Sequence, residues 1–238
     1  MNGFLYSLTL QWKLDIRSKT LLVTCYIVPI LFCLIMGGIF TSIMPEMKNT
    51  LVQSMLVLSI SMGAFIGFPP ALIETYGSDI KKVYSANGVP IYSGVITMFL
   101  SALIHLLLSS VIIMLLSVLL YDAVLPANLL HFFLALTVYT AVSLSVGSIL
   151  GLVLKEQSKL TMISQLLFLP SIMLSGIMFP GDFLPDFLKS LGYLFPASWG
   201  YNLMLDGGFC FKNLWYLIFI FFIALIVNII LLNKHKIK

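Results

Sequence analysis

Few side chains in this sequence stand where they could do chemistry. Spaced along the apolar stretch 91–120 are Ser101, His105, Ser109 and Ser110, with His105 near its middle. An imidazole among hydroxyls at helical spacing suits an interhelical hydrogen bond, with a contact to a transported molecule as the alternative. Gln53, Thr161, Gln165 and Asn228 are the other strong hydrogen-bonding groups in or near apolar stretches; Gln165 could line a pathway, and packing is the default for each. Cys25, Cys33 and Cys210 have no C-x-x-C spacing and read as small apolar fillers, so no metal site is expected. No G-x-x-x-x-G-K-[ST] phosphate loop occurs, nor any Gly-Lys dipeptide, so ATP is not hydrolysed here by that route. Ion-coupled transporters carry ionisable side chains inside their spans. With none here besides His105, the energy for any transport is expected from another polypeptide.

The elements that must hold these residues are legible from composition. The chain has 238 residues, 60% hydrophobic and 9% charged, with a mean hydropathy of +1.08. Soluble domains carry about 25% charged residues. About 20 apolar residues cross a hydrocarbon core of ~30 Å, and six stretches qualify: 21–43, 50–73, 91–120, 128–154, 160–180 and 213–233. The expected fold is therefore one all-α integral membrane domain with six transmembrane helices. Span one is too long and lacks the cleavage site of a signal peptide. Pro29 and Pro170 fall inside spans, as kinks whose freed carbonyls neighbours must satisfy. Gly63 with Gly67 and Gly147 with Gly151 have small-x-x-x-small spacing for close helix approach.

Charge sets the orientation. Lys13, Arg17, Lys19, Lys81, Lys82, Lys155, Lys159, Lys234, Lys236 and Lys238 fall on one side of an even-numbered bundle, against Lys48, Lys189 and Lys212 on the other. The positive-inside rule places both termini in the cytoplasm. The net charge of +4 is then orientation bias and attraction to anionic lipid, with no nucleic-acid partner expected. Residues 1–20 read as an interfacial helix, with Phe4, Leu5, Leu8, Trp12 and Ile16 on one arc; a frayed tail is the alternative.

Two connections carry more than connection requires. The segment 174–205 is too apolar for a loop and too broken by Pro180, Pro185 and Pro196 for a span. It reads as two short outer-leaflet helices within 182–205, held by Phe183, Phe187, Leu191 and Trp199. After span two, Pro69-Pro70 bend or end the helix and a polar stretch from Glu74 to Pro90 follows. Ser78 and Asp79 could cap a short helix there, ending before Asn87-Gly88. A solvated turn is the alternative. The second connection on that side, Lys155–Lys159, reads as a helix junction or a lesser contact.

The pattern SG-x-x-FP-x-x-x-LP-x-x-L from Ser175, a further Pro before the last span and the amphipathic N-terminus closely resemble the ABC-2 family of transporter permeases. Glu74, Gly77, Asp79 and Pro90 resemble the acidic, Gly-containing segment and coupling helix of that family, although its run of alternating Glu and Arg before Gly-Thr is missing. The resemblance implies an ATP-driven exporter subunit in a bacterial cell membrane, working as a dimer whose second permease is identical. Two ABC ATPase subunits would bind ATP and Mg, and Glu74, Gly77, Asp79, Ile80, Val83 and Tyr84 would form the ATPase-coupling loop. Spans one, two and five would line the pathway, with one and five meeting across the dimer. An uncharged pathway suits a hydrophobic or amphipathic cargo: a drug, an antimicrobial peptide or a lipid-linked compound. The alternatives are a non-transport six-span scaffold or assembly factor, and an ion-coupled secondary transporter.

Overall fold

A computed structural model describes residues 3–77, 90–178, 184–206 and 211–237. Among these the chain is helical, without strands. Helix α1, Gly3–Arg17, ends where the Ser18 hydroxyl caps the next helix by accepting from the Leu21 N–H. Helix α2 runs continuously over Lys19–Ile43 through a π turn at Val23–Ile27. That turn lies just ahead of Pro29, whose missing N–H leaves the Cys25 carbonyl free. The Ser109 hydroxyl donates to this carbonyl at 2.5 Å from another helix, so the proline is accommodated without a buried orphan.

Helix α3, Leu51–Gly77, follows a 3-10 turn at Pro45–Asn49. Every residue from Leu51 to Ser61 is buried, which makes α3 the central post. The expected end of span two at residue 73 is corrected: the helix continues through Pro69-Pro70 to Gly77. It absorbs the two prolines by a π turn at Gly63–Gly67, where the Phe68 N–H reaches the Gly63 carbonyl. Helices α4, Ile91–Tyr121, and α5, Leu129–Val153, follow. The turn after α4 has Asp122 in the left-handed region (φ 52°), its carboxylate 3.7 Å from the Lys48 ammonium. The Val124 N–H donates to the Lys48 carbonyl, so the two connections at this end are tied together.

Helix α6, Gln157–Leu174, has 18 residues, or ~27 Å. Among the described residues, five helices are long and apolar enough to cross a membrane: α2, α3, α4, α5 and the last. The expected fifth span, 160–180, corresponds to α6, which starts in Gln157, Ser158 and Lys159 and stops at Leu174. The helix is thus shorter and more polar than the other five. Helices α7, Asp186–Gly192, and α8, Pro196–Leu205, precede α9, Phe211–Ile237. Phe187 of α7 is exposed, whereas α8 is buried over nearly its whole length. Gly200 of α8 lies against the ring of Tyr139, about ten residues (~15 Å) into α5, so α8 is sunk among the long helices. Trp199 anchors it: its indole N–H donates to the Tyr193 carbonyl at 2.8 Å and its ring stacks on Tyr216. Phe183 lies outside the described residues.

Close approach of backbones holds the centre. A Cβ on Gly147 would strike the Ala64 carbonyl, and one on Gly151 would meet the Pro69 carbonyl and Leu72. Small residues here let α5 lie directly on the π turn of α3. The Tyr139 and Ser61 hydroxyls hydrogen-bond at 2.6 Å along the same α3–α5 contact.

Candidate coupling site

An enclosed polar cluster lies where α1 rests on α4. Gln11, Trp12 and Asp15 of α1 point at α4, while Phe4, Leu5 and Ile16 of the expected apolar arc are exposed. The docking face is therefore rotated from that arc toward Gln11 and Asp15. Asp15 is only 6% exposed. Its Oδ2 accepts from the Ser101 hydroxyl at 2.5 Å and its Oδ1 from the Gln11 amide at 2.8 Å. Trp12 stacks on His105 with ring centroids 4.0 Å apart and planes within 7°. The Tyr26 hydroxyl of α2 hydrogen-bonds the His105 Nδ1 at 2.8 Å. His105 is 2% exposed, and its Nε2 is buried without a partner.

Asp15 makes no ion pair among the described residues, and burial raises its carboxyl above the ordinary range. The hydrogen bonds from Ser101 and Gln11, and then the nearby His105, pull it partly back. The expectation of an interior with no ionisable group besides His105 is corrected: α1 brings a carboxylate against the third span from outside it. The signal lay in the sequence. At 100° per residue, Asp15 sits only about 20° from Leu8, inside the apolar arc. His105 itself is accounted for by interhelical contacts to Tyr26 and Trp12.

The depth follows from length. Helix α4 has 31 residues, ~46 Å, against a hydrocarbon core of ~30 Å. Counting about twenty residues back from Tyr121 reaches Ala102. Counted from Tyr121, Ser101 and His105 fall about one core thickness away, toward the end of α4 on which α1 rests.

At that same end are the stems of the connection after α3. Glu74 and Gly77 are exposed in its last turn. Beside them the buried Tyr76 hydroxyl donates to the Ile91 carbonyl at 2.6 Å, pinning the end of α3 to the start of α4. Asp79, Ile80, Val83 and Tyr84 lie outside the described residues. The other connection at this end, 154–156, is a three-residue junction beside an exposed Glu156–Lys159 pair at 2.9 Å. Gln165 is exposed on α6, next to exposed Leu166 and Leu169, and remote in sequence from the α1 cluster. Among the described residues no three His, Cys, Asp or Glu side chains gather to hold a metal ion.

A bundle of long apolar helices crossed by close glycine contacts, with an amphipathic helix laid on one end, is the architecture of a multi-pass membrane protein. Residues 3–209 match the ABC-2 type transporter family, and the chain belongs to it. The match covers α1 to α8 and stops before α9. No curated protein matches the chain. Membership makes this the transmembrane part of an ABC transporter, as distinct from its ATPase.

Proposed function

We propose that the chain is the permease subunit of an ATP-driven exporter, paired with a second, identical permease and with two separate ABC ATPases that bind ATP and Mg. The observation that carries this reading is the family match over α1 to α8. The structure supports it by gathering α1 and the pinned, exposed stem of the 78–89 connection at one end of the bundle, where an ATPase could push on both. That end is assigned to the cytoplasm by its excess of basic residues. Helix α6 serves as the fifth of six spans, and α7 and α8 close the opposite end. Exposed faces of α2 (Leu31, Ile35) and α6 (Leu166, Leu169) are apolar and suit the seam between permeases. A cargo that is hydrophobic or amphipathic suits spans whose apolar cores carry no charge.

The buried Asp15 revives the ion-coupled alternative, since an ionisable group does reach the third span. One experiment separates the readings. The chain is co-expressed with an ABC ATPase, purified and reconstituted into vesicles, and dye or peptide efflux is followed. The permease reading expects a stable complex and transport that requires ATP. Transport driven by a proton gradient without nucleotide would replace it with the ion-coupled one. A complex that assembles with other membrane proteins but never with an ATPase would support the scaffold.

A further inference from the structure

We propose that Asp15 is a positioning residue for coupled transport: with His105 it forms a proton-held latch that fixes α1 against α4. The geometry carries it. A carboxylate 6% exposed has two neutral donors, Ser101 and Gln11, and no ion-pair partner among the described residues. Such a group is costly to keep charged. One turn along α4 is an imidazole whose Nε2 is buried and unpartnered, stacked beneath Trp12 of the same helix that carries Asp15. One proton resolves the lone carboxylate charge, in either of two ways. On Asp15 it neutralises the carboxyl and leaves an acceptor for Ser101; on Nε2 it supplies the missing cation. When the proton leaves for water at the exposed face of α1, a lone buried carboxylate remains. Docking then weakens and Trp12 parts from His105.

Among the described residues, the charged and titratable groups around the latch are few. From α1 come Asp15 itself and the exposed Lys13 and Arg17; from α2 the exposed Lys19, and Cys25 and Tyr26; from α4 only His105. The sign follows from linkage. A carboxyl raised by burial contributes docking stability that is fully present below its unfolded pKa and lost as pH rises through the folded value. Helix α1 is therefore held at lower pH and released at higher pH. The inference goes beyond the permease reading and rests on it only for the consequence in transport.

The test uses Trp12 as its own reporter. The full chain in lipid nanodiscs is titrated from about pH 4 to 9, across the range in which a raised carboxyl or an imidazole changes charge. The fluorescence of the Trp12→Phe variant is subtracted to remove Trp199 and Trp215. The expected difference signal changes in one step centred above the ordinary carboxylate value. Asp15→Asn, which mimics the protonated group, abolishes the step. Ser101→Ala leaves the charge in place but removes a donor to it, and moves the midpoint up by about one pH unit. No step in the wild type, a step that survives Asp15→Asn, or a downward shift in Ser101→Ala overturns the latch. In vesicles with the ATPase, transport per ATP falls over the same pH range in the wild type and stays level in Asp15→Asn. If the two profiles are the same, Asp15 has no positioning role. Absence of ATP-dependent transport in both refutes the permease reading and the coupling role together, while the fluorescence still decides whether the latch exists.

Discussion

Replacing Gly147 with alanine tests the tightest contact of any glycine described, because the added methyl would meet the carbonyl of Ala64. A backbone carbonyl cannot rotate aside as the Leu106 side chain beside Gly63 could. Helices α3 and α5 must therefore move apart, and overpacking of this kind costs about 1–3 kcal/mol. Opposing it, alanine is favoured over glycine within a helix by ~1 kcal/mol. The second effect is removed by comparison with Gly38→Ala in α2, where the new methyl finds the Tyr121 ring at an ordinary 3.7 Å. Gly38→Ala is expected to be neutral or stabilising by up to about 1 kcal/mol. The two variants should then differ by about 1–3 kcal/mol, with Gly147→Ala the less stable. Reversible unfolding in bicelles, followed by steric trapping or by dodecyl sulfate titration with circular dichroism, measures that difference. Equal stabilities for the two variants would refute the assigned crossing. A Gly147→Ala protein more stable than Gly38→Ala would do so more strongly.

Ser109→Ala removes the donor to the carbonyl freed by Pro29, and unfolding in bicelles should show a loss of about 0.6–1.7 kcal/mol, the range for interhelical hydrogen bonds in membranes. The double variant Val83→Ala, Tyr84→Ala should lower transport and substrate-stimulated ATPase activity while leaving insertion and dimerisation intact, since aromatic residues dominate interfaces. Wild-type transport in that variant would move coupling to α1 or to Lys155–Lys159. In a background lacking Cys25, Cys33 and Cys210, a cysteine at position 85 should be shielded from an impermeant external label and one at 190 exposed to it. The opposite pattern would invert the proposed orientation.

The spans were legible because apolar length alone specifies them: α2, α4 and α5 begin and end within two residues of the stretches that composition picks out. Prolines were a less complete guide. Pro29 and Pro69-Pro70 signalled disturbance, but each disturbance took the form of a π turn, and the helix went on. Whether a proline ends or merely distorts a buried helix depends on what stands opposite the freed carbonyl. For Pro29 that is Ser109, eighty positions away in the chain, a pairing that no local pattern announces.

The same limit explains the site. Trp12 and His105 were each conspicuous as residue types, yet their stacking depends on how α1 lies across α4, which periodicity does not specify. Position along the chain puts Asp15 outside the apolar stretches, and only its angle around the helix shows where it faces. Placed by angle it falls beside Leu8, on the face an amphipathic helix must bury, and an acidic residue there has to find donors. Ser101 is the donor it finds on the third span, as Gln11 is within α1. A carboxylate on the apolar arc of a surface helix is thus a readable sign that the helix docks on something polar. Here the polar groups were in plain view as the Ser101–His105 pair, one turn apart on the same face of α4.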